Sequence, residues 1–92
     1  MNKTELVNAV AERTDLLRRD AEAAVTAVFD SISEALCKDE KVQIIGFGTF
    51  ETKLRAARVG RNPQTMETIE IPETRMPTFK PGKTLKDAVD RA

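Results

Sequence analysis

Apolar residues in the first forty positions recur at helical spacing. Leu6, Val7, Val10 and Ala11 share one face and predict a first helix over about 3–13, with Asn2 as the cap that accepts its first backbone N–H groups. Thr14-Asp15 breaks the pattern. A second helix is predicted from about 18 to 38, where Ala21, Ala24, Val25, Val28, Phe29, Ile32, Ala35 and Leu36 form an apolar stripe. Ala23 and Ala27 widen that stripe beyond one face. A stripe so broad needs cover on two sides, and one thin domain supplies only one, which is the first sign of a dimer.

From Lys41 the period changes to two. Val42 and Ile44 alternate with polar neighbours and predict a strand, and Ile45-Gly46-Phe47-Gly48-Thr49-Phe50 is expected as a tight turn into a second strand. The glycines there permit positive φ or close backbone approach. Strand character continues through Glu51-Thr52-Lys53-Leu54-Arg55. Val59-Gly60-Arg61-Asn62-Pro63-Gln64-Thr65 carries turn residues, and Thr68 to Pro72 alternates again. Met76-Pro77-Thr78-Phe79 returns to apolar positions, and the prolines at 72 and 77 call for a sheet edge or a bulge. Pro81-Gly82 ends the strand, and Lys83 to Val89 predicts a short third helix with Leu85, Ala88 and Val89 on one side. The class is therefore α+β.

Composition narrows the chemistry. At 92 residues, 40% hydrophobic and 33% charged, the chain has the make-up and size of one small folded domain. No apolar run approaches the ~20 residues that cross a bilayer. The polar, acid-containing start Met1-Asn2-Lys3-Thr4-Glu5 shows no secretory signal. One cysteine, Cys37, allows no intrachain disulfide and fits a reducing, intracellular address. Its position at a helix end beside Leu36 reads as passive packing rather than as a redox thiol. Histidine, tryptophan and tyrosine are absent. With no nucleophile–base pair and no metal-ligand cluster in the pattern, an enzyme is not expected, nor a cofactor, a small-molecule substrate or a membrane partner.

Net charge is zero, but it is unevenly spread. Residues 1–40 hold five bases against nine acids; residues 41–92 hold ten against six. Lys53, Arg55, Arg58 and Arg61 lie in one stretch free of acids, and Arg75, Lys80, Lys83 and Lys86 in another. Screening confines each exposed charge to roughly 8–10 Å, so local field outweighs the total, and two such stretches in a small chain point to a polyanionic partner.

The segment between Leu54 and Met76 has few large apolar side chains, namely Val59, Met66, Ile69 and Ile71. Those are too few to hold a hairpin on a core, which predicts a mobile ribbon. Arginine is drawn into narrow, strongly negative minor grooves, and a rigid proline such as Pro63 can wedge between base steps.

Four stretches carry a resemblance: Met1-Asn2-Lys3-Thr4-Glu5-Leu6, Gly46-Phe47-Gly48-Thr49-Phe50-Glu51, Arg58-Val59-Gly60-Arg61-Asn62-Pro63-Gln64-Thr65, and Pro77-Thr78-Phe79-Lys80-Pro81-Gly82-Lys83-Thr84-Leu85-Lys86. Together they resemble the bacterial HU family of histone-like DNA-binding proteins, over essentially the whole chain. The resemblance implies one HU-like domain: a helical dimerisation part (1–40), a three-stranded antiparallel sheet (41–54 and 76–81), an extended β-ribbon arm (55–75) and a short C-terminal helix (83–91). It implies an intertwined homodimer, or a heterodimer with a paralogue, whose arms embrace double-stranded DNA in the bacterial cytoplasm, at the nucleoid. Arg55, Arg58, Arg61, Asn62, Pro63, Gln64 and Thr65 would contact the minor groove, with Pro63 intercalating. Lys3, Lys80, Lys83 and Lys86 would meet phosphates, and Lys53 and Arg75 are expected to bind DNA with them. Phe29, Phe47, Phe50 and Phe79 match the family's dimer core.

Several positions depart from the family pattern. Met66 stands where glycine commonly follows Gln-Thr, and strain follows if the tip needs positive φ there. Val59 replaces a frequent lysine. Leu17 occupies the usual serine cap of the second helix, leaving either Asp15 to cap an earlier start or a poorly capped end that costs about 1 kcal/mol. With its zero net charge, the chain is expected to bind DNA more weakly or with more salt sensitivity than its relatives. Two alternatives stay open: a sequence-preferring bender of the integration host factor type, and a protein-interaction paralogue with weakened DNA binding.

Overall fold

Three helices and five strands make up the chain in a computed structural model that describes residues 1–92: α1 (Lys3–Thr14), α2 (Arg18–Cys37), β1 (Val42–Ile44), β2 (Gly48–Arg55), β3 (Arg58–Arg61), β4 (Thr68–Ile71), β5 (Thr74–Pro81) and α3 (Lys83–Arg91). The α+β class and the expected helices stand, with helix ends within a residue of those predicted from 1 to 40. The chain divides into two compact units, Met1–Ala35 and Leu36–Ala92.

In the first unit, Asn2 caps α1 by accepting the Glu5 N–H on Oδ1 at 2.9 Å. The helix ends at Asp15, whose φ of 59° is left-handed. Asp15 thus closes α1 rather than capping α2, because the αL turn reverses the chain there. Leu17 immediately precedes α2: its carbonyl accepts the N–H groups of Asp20 and Ala21, but its side chain has no acceptor to offer. Val7, Ala21 and Val25 are buried, with Leu6, Val10 and Ala11 packed around them. Arg18 Nε donates to Asn8 Oδ1 at 2.9 Å and ties the two helices together. Much of the predicted α2 stripe stays uncovered: Val28 and Phe29 are exposed and, with Leu6, Val10, Ala24 and Val25, line an open apolar groove.

In the second unit, β1, β2 and β5 form an antiparallel sheet in that order, and β3 and β4 form a separate two-stranded ribbon. β2 and β5 pair from Gly48↔Pro81 to Arg55↔Thr74. The sheet therefore extends past the predicted limits of 54 and 76, and the paired part of the arm contracts to 58–61 with 68–71. Pro77 sits in the edge strand β5, where a missing N–H costs no ladder bond. The turn between β1 and β2 is shorter than expected. Ile44 pairs with Gly48, so the turn is only Ile45-Gly46-Phe47 and the strand resumes at Gly48. The two glycines have different duties. Gly46 supplies a φ of +84°, while at Gly48 a Cβ would lie 2.6 Å from the Lys80 carbonyl oxygen and 2.7 Å from the Phe79 ring.

Candidate nucleic-acid interface

Side chains on β2 alternate between the two faces of the sheet, and this sorts its basic residues. Thr49, Glu51, Lys53 and Arg55 share one face with their cross-strand partners Lys80, Thr78, Met76 and Thr74. Phe50 and Leu54 share the other with Phe79 and Arg75. Lys53, Arg55 and Lys80 therefore stand together on a polar face. Arg75 does not join them: from the opposite face its Nη2 donates to the Cys37 carbonyl, at the last residue of α2.

Glu51 organises the polar face. Its Oε1 lies 2.8 Å from Lys80 Nζ and its Oε2 lies 3.5 Å from Lys41 Nζ. Its side chain is only 14% exposed, against 62–63% for the two lysines. The hydrogen bond from Lys80, helped by the charges of both lysines, holds the Glu51 carboxyl below the ordinary glutamate range. Neither Glu51 nor Lys41 stood out in the sequence. The only signal available was the register itself, which places Lys41, one residue before β1, beside Glu51 once Val42 pairs with Phe50.

The ribbon distributes its arginines to both faces. Arg58 and Gly60 lie with Ile69 and Ile71 on one side, and Val59 and Arg61 with Thr68 and Glu70 on the other. At the tip, Asn62 N–H donates to the Glu67 carbonyl at 2.9 Å, and the Asn62 carbonyl accepts the Met66 N–H at 2.7 Å. Asn62 Oδ1 also accepts the Gln64 N–H at 2.9 Å, so one asparagine fixes the turn through both backbone and side chain. Pro63, Gln64 and Thr65 are left exposed. Met66 has a φ of 61°, the left-handed conformation that a glycine would adopt without strain.

The other expected phosphate contacts lie on helices. Lys83 and Lys86 are exposed in the first turn of α3, which holds no acid and whose cap, Gly82, has no side chain to satisfy the leading N–H groups. Lys3 opens α1 in the first unit, at the rim of a groove lined by Leu6, Thr26, Phe29 and Asp30. Three of the four phenylalanines come together in the second unit: Phe79 stacks obliquely on Phe47 and Phe50, with ring centroids 5.4 and 4.8 Å apart. Phe29 belongs to the first unit. No group of three or more His, Cys, Asp or Glu side chains is placed to hold a metal ion. No helix is long and apolar enough to cross a membrane.

Residues 1–90 match the family model described as bacterial DNA-binding protein. The chain is 67% identical over 89 residues to a protein named DNA-binding protein HU from Geobacillus stearothermophilus, covering 97% of this chain and 99% of that one. It is 62% identical to DNA-binding protein HU 1 of Bacillus subtilis strain 168, covering 97% of each. Among solved structures, an Anabaena HU–DNA cocrystal structure superposes with a TM-score of 0.92 at 47% identity, over the full length of both chains. The HU mutant V42I from Thermotoga maritima follows at a TM-score of 0.72 and 35% identity, covering 97% of this chain and 99% of that one.

Proposed function

This chain belongs to the HU family of bacterial DNA-binding proteins, and we propose that it is an architectural protein that bends double-stranded DNA without strict sequence choice and compacts the nucleoid. Its relatives are named as DNA-binding proteins, not as enzymes.

The observation that carries the reading is the ribbon tip. Pro63 stands exposed at the end of a ribbon whose strands pair with each other alone, immediately after Arg61 and Asn62. Arg55, Arg58, Arg61, Gln64 and Thr65 supply donors for the minor groove, where arginine is favoured by the strong negative potential. Minor-groove architectural proteins, the HU family among them, insert apolar wedges between base steps and offset an unstacking cost of roughly a few kcal/mol per step with the contacts that bending allows. Pro63 is the wedge here. DNA already nicked or kinked has part of that cost removed and binds more tightly.

Lys3, Lys53, Lys80, Lys83 and Lys86 take phosphates. The uncapped start of α3 adds partial positive charge beside Lys83 and Lys86. Nothing on the ribbon is arranged to read base edges in the major groove, which supports binding without strict sequence preference.

The working form in this reading is a homodimer. Of its apolar side chains a single chain buries only Val7, Ala21 and Val25, and leaves Phe29 47%, Phe47 44% and Phe79 39% exposed. A second copy covers those faces, with Phe29, Phe47, Phe50 and Phe79 in the joint core.

The test compares wild type with Pro63→Ala and Arg61→Ala, titrating salt against straight and nicked duplexes and measuring bending by energy transfer between end labels. Wild type binds the nicked duplex more tightly, Arg61→Ala weakens binding to both duplexes, and Pro63→Ala bends less. Unchanged bending and affinity in both variants would remove the arm mechanism. Sedimentation of the free protein as a monomer would remove the dimer.

A further inference from the structure

One charged cluster lies outside the arm and has no part in the wedge mechanism: Lys41, Glu51 and Lys80 on the polar face of the sheet. Glu51 lies on the central strand β2; Lys80 reaches it from β5, and Lys41 from the residue just before β1. The Thr78 hydroxyl donates to the Glu51 carbonyl at 3.3 Å and helps hold this stretch of β2 against β5. The carboxylate is thus confined, while the two ammonium groups sit at the ends of largely exposed, flexible stems.

We infer that Glu51 is a built-in competitor of the DNA phosphate, holding Lys80 and Lys41 in an internal ion pair that must be given up when the backbone binds. The inference rests on the DNA-binding reading above and assigns a role to a residue outside the ribbon. A carboxylate oxygen 2.8 Å from Lys80 Nζ occupies the position a phosphate oxygen would take. Two lysines around one carboxylate present a net charge of +1 in place of +2. The two ammonium groups are exposed and their stems flexible, so each can turn from the carboxylate to a phosphate. The exchange is costly in ions. A lysine that binds phosphate releases counterions from DNA, but a carboxylate left bare takes a cation back up, so the net release per contact is smaller. Glu51 therefore lowers affinity and also flattens the salt dependence.

The experiment measures binding of a fluorescent duplex by wild type, Glu51→Gln, Lys80→Gln and the double variant across a series of NaCl concentrations. Circular dichroism establishes that each is folded. Glu51→Gln is expected to bind about three- to tenfold tighter at low salt, with a log–log salt slope steeper by up to about one. In the Lys80→Gln background the same substitution gains much less. A purely structural role for Glu51 predicts the reverse, equal or weaker binding with an unchanged salt slope. Glu51→Asp, whose shorter side chain draws the carboxylate back from both lysines, gives a smaller gain in the same direction and decides the matter if Glu51→Gln does not fold. Wild-type binding with no gain in a folded Glu51 variant overturns this inference alone. A wild type that binds no duplex at low salt overturns the DNA-binding reading and this inference with it.

Discussion

The guanidinium of Arg75 donates to the main-chain carbonyl of Cys37 at 3.0 Å, joining β5 to the last residue of α2. The last carbonyls of a helix have no partner within it and carry its partial negative charge, so a cation there both satisfies a hydrogen bond and complements the dipole. α2 has no basic residue of its own in its last turn. An arginine that charge alone assigns to DNA therefore also has a partner in the fold.

Replacing Arg75 by alanine separates the two roles. The substitution is expected to cost about 0.3–1 kcal/mol, and hence several degrees in thermal midpoint for a domain of this size. DNA affinity falls less than for Arg61→Ala. Circular dichroism melting at one fixed protein concentration, set beside a binding titration, checks both; the concentration must be held because assembly shifts the midpoint.

Gly48→Ala is expected to destabilise by about 1–3 kcal/mol, because its Cβ would strike the Lys80 carbonyl and the Phe79 ring and neither can move without disturbing the sheet. Gly46→Ala meets open space and bears only the cost of its left-handed backbone, about 1–2 kcal/mol. Chemical denaturation of the two variants tests the contrast. In the Gly48 variant the Phe47 and Phe79 ring signals shift; in the Gly46 variant they stay close to wild type.

Met66→Gly relieves a left-handed methionine at the ribbon tip. The gain, at most about 1 kcal/mol after the extra flexibility of glycine in the unfolded chain, is confined to the hairpin. Hydrogen exchange at the Asn62 and Met66 amides reads it directly, since both donate across the turn. Both amides exchange more slowly in the variant.

The lowered Glu51 pKa makes a signed prediction for acid. A carboxyl whose folded pKa lies below its unfolded value contributes stability that is fully present above the unfolded value and is lost as pH falls through the folded one. Wild type therefore loses stability below the ordinary glutamate value of about 4.3. Glu51→Gln loses less over the same interval. Thermal midpoints of both proteins at a series of pH values between neutrality and strong acid measure the difference.

Local pattern was enough to determine most of the elements. Helical spacing from Leu6 to Leu36, the switch to a period of two at Lys41, and the Gly, Asn and Pro punctuation placed every helix and the other strands to within a few residues, but Val59-Gly60-Arg61, read as turn, pairs as β3. Those signals act between neighbours in the chain, through side-chain spacing, caps and allowed φ, and a linear reading captures them. The positive φ at Met66 was legible for the same reason, as a turn requirement set against the wrong residue. What the sequence could not decide was which partner each charge would find. Lys53, Arg55, Arg75 and Lys80 look alike as a list of bases. Strand register alone puts Arg75 on the face opposite the other three, and brings Lys80 from β5 and Lys41 from just before β1 to one carboxylate on the central strand. A one-residue slip would reverse every one of those side chains. Charge partners are chosen by contacts between residues far apart in the chain, and only the folded sheet brings them within reach.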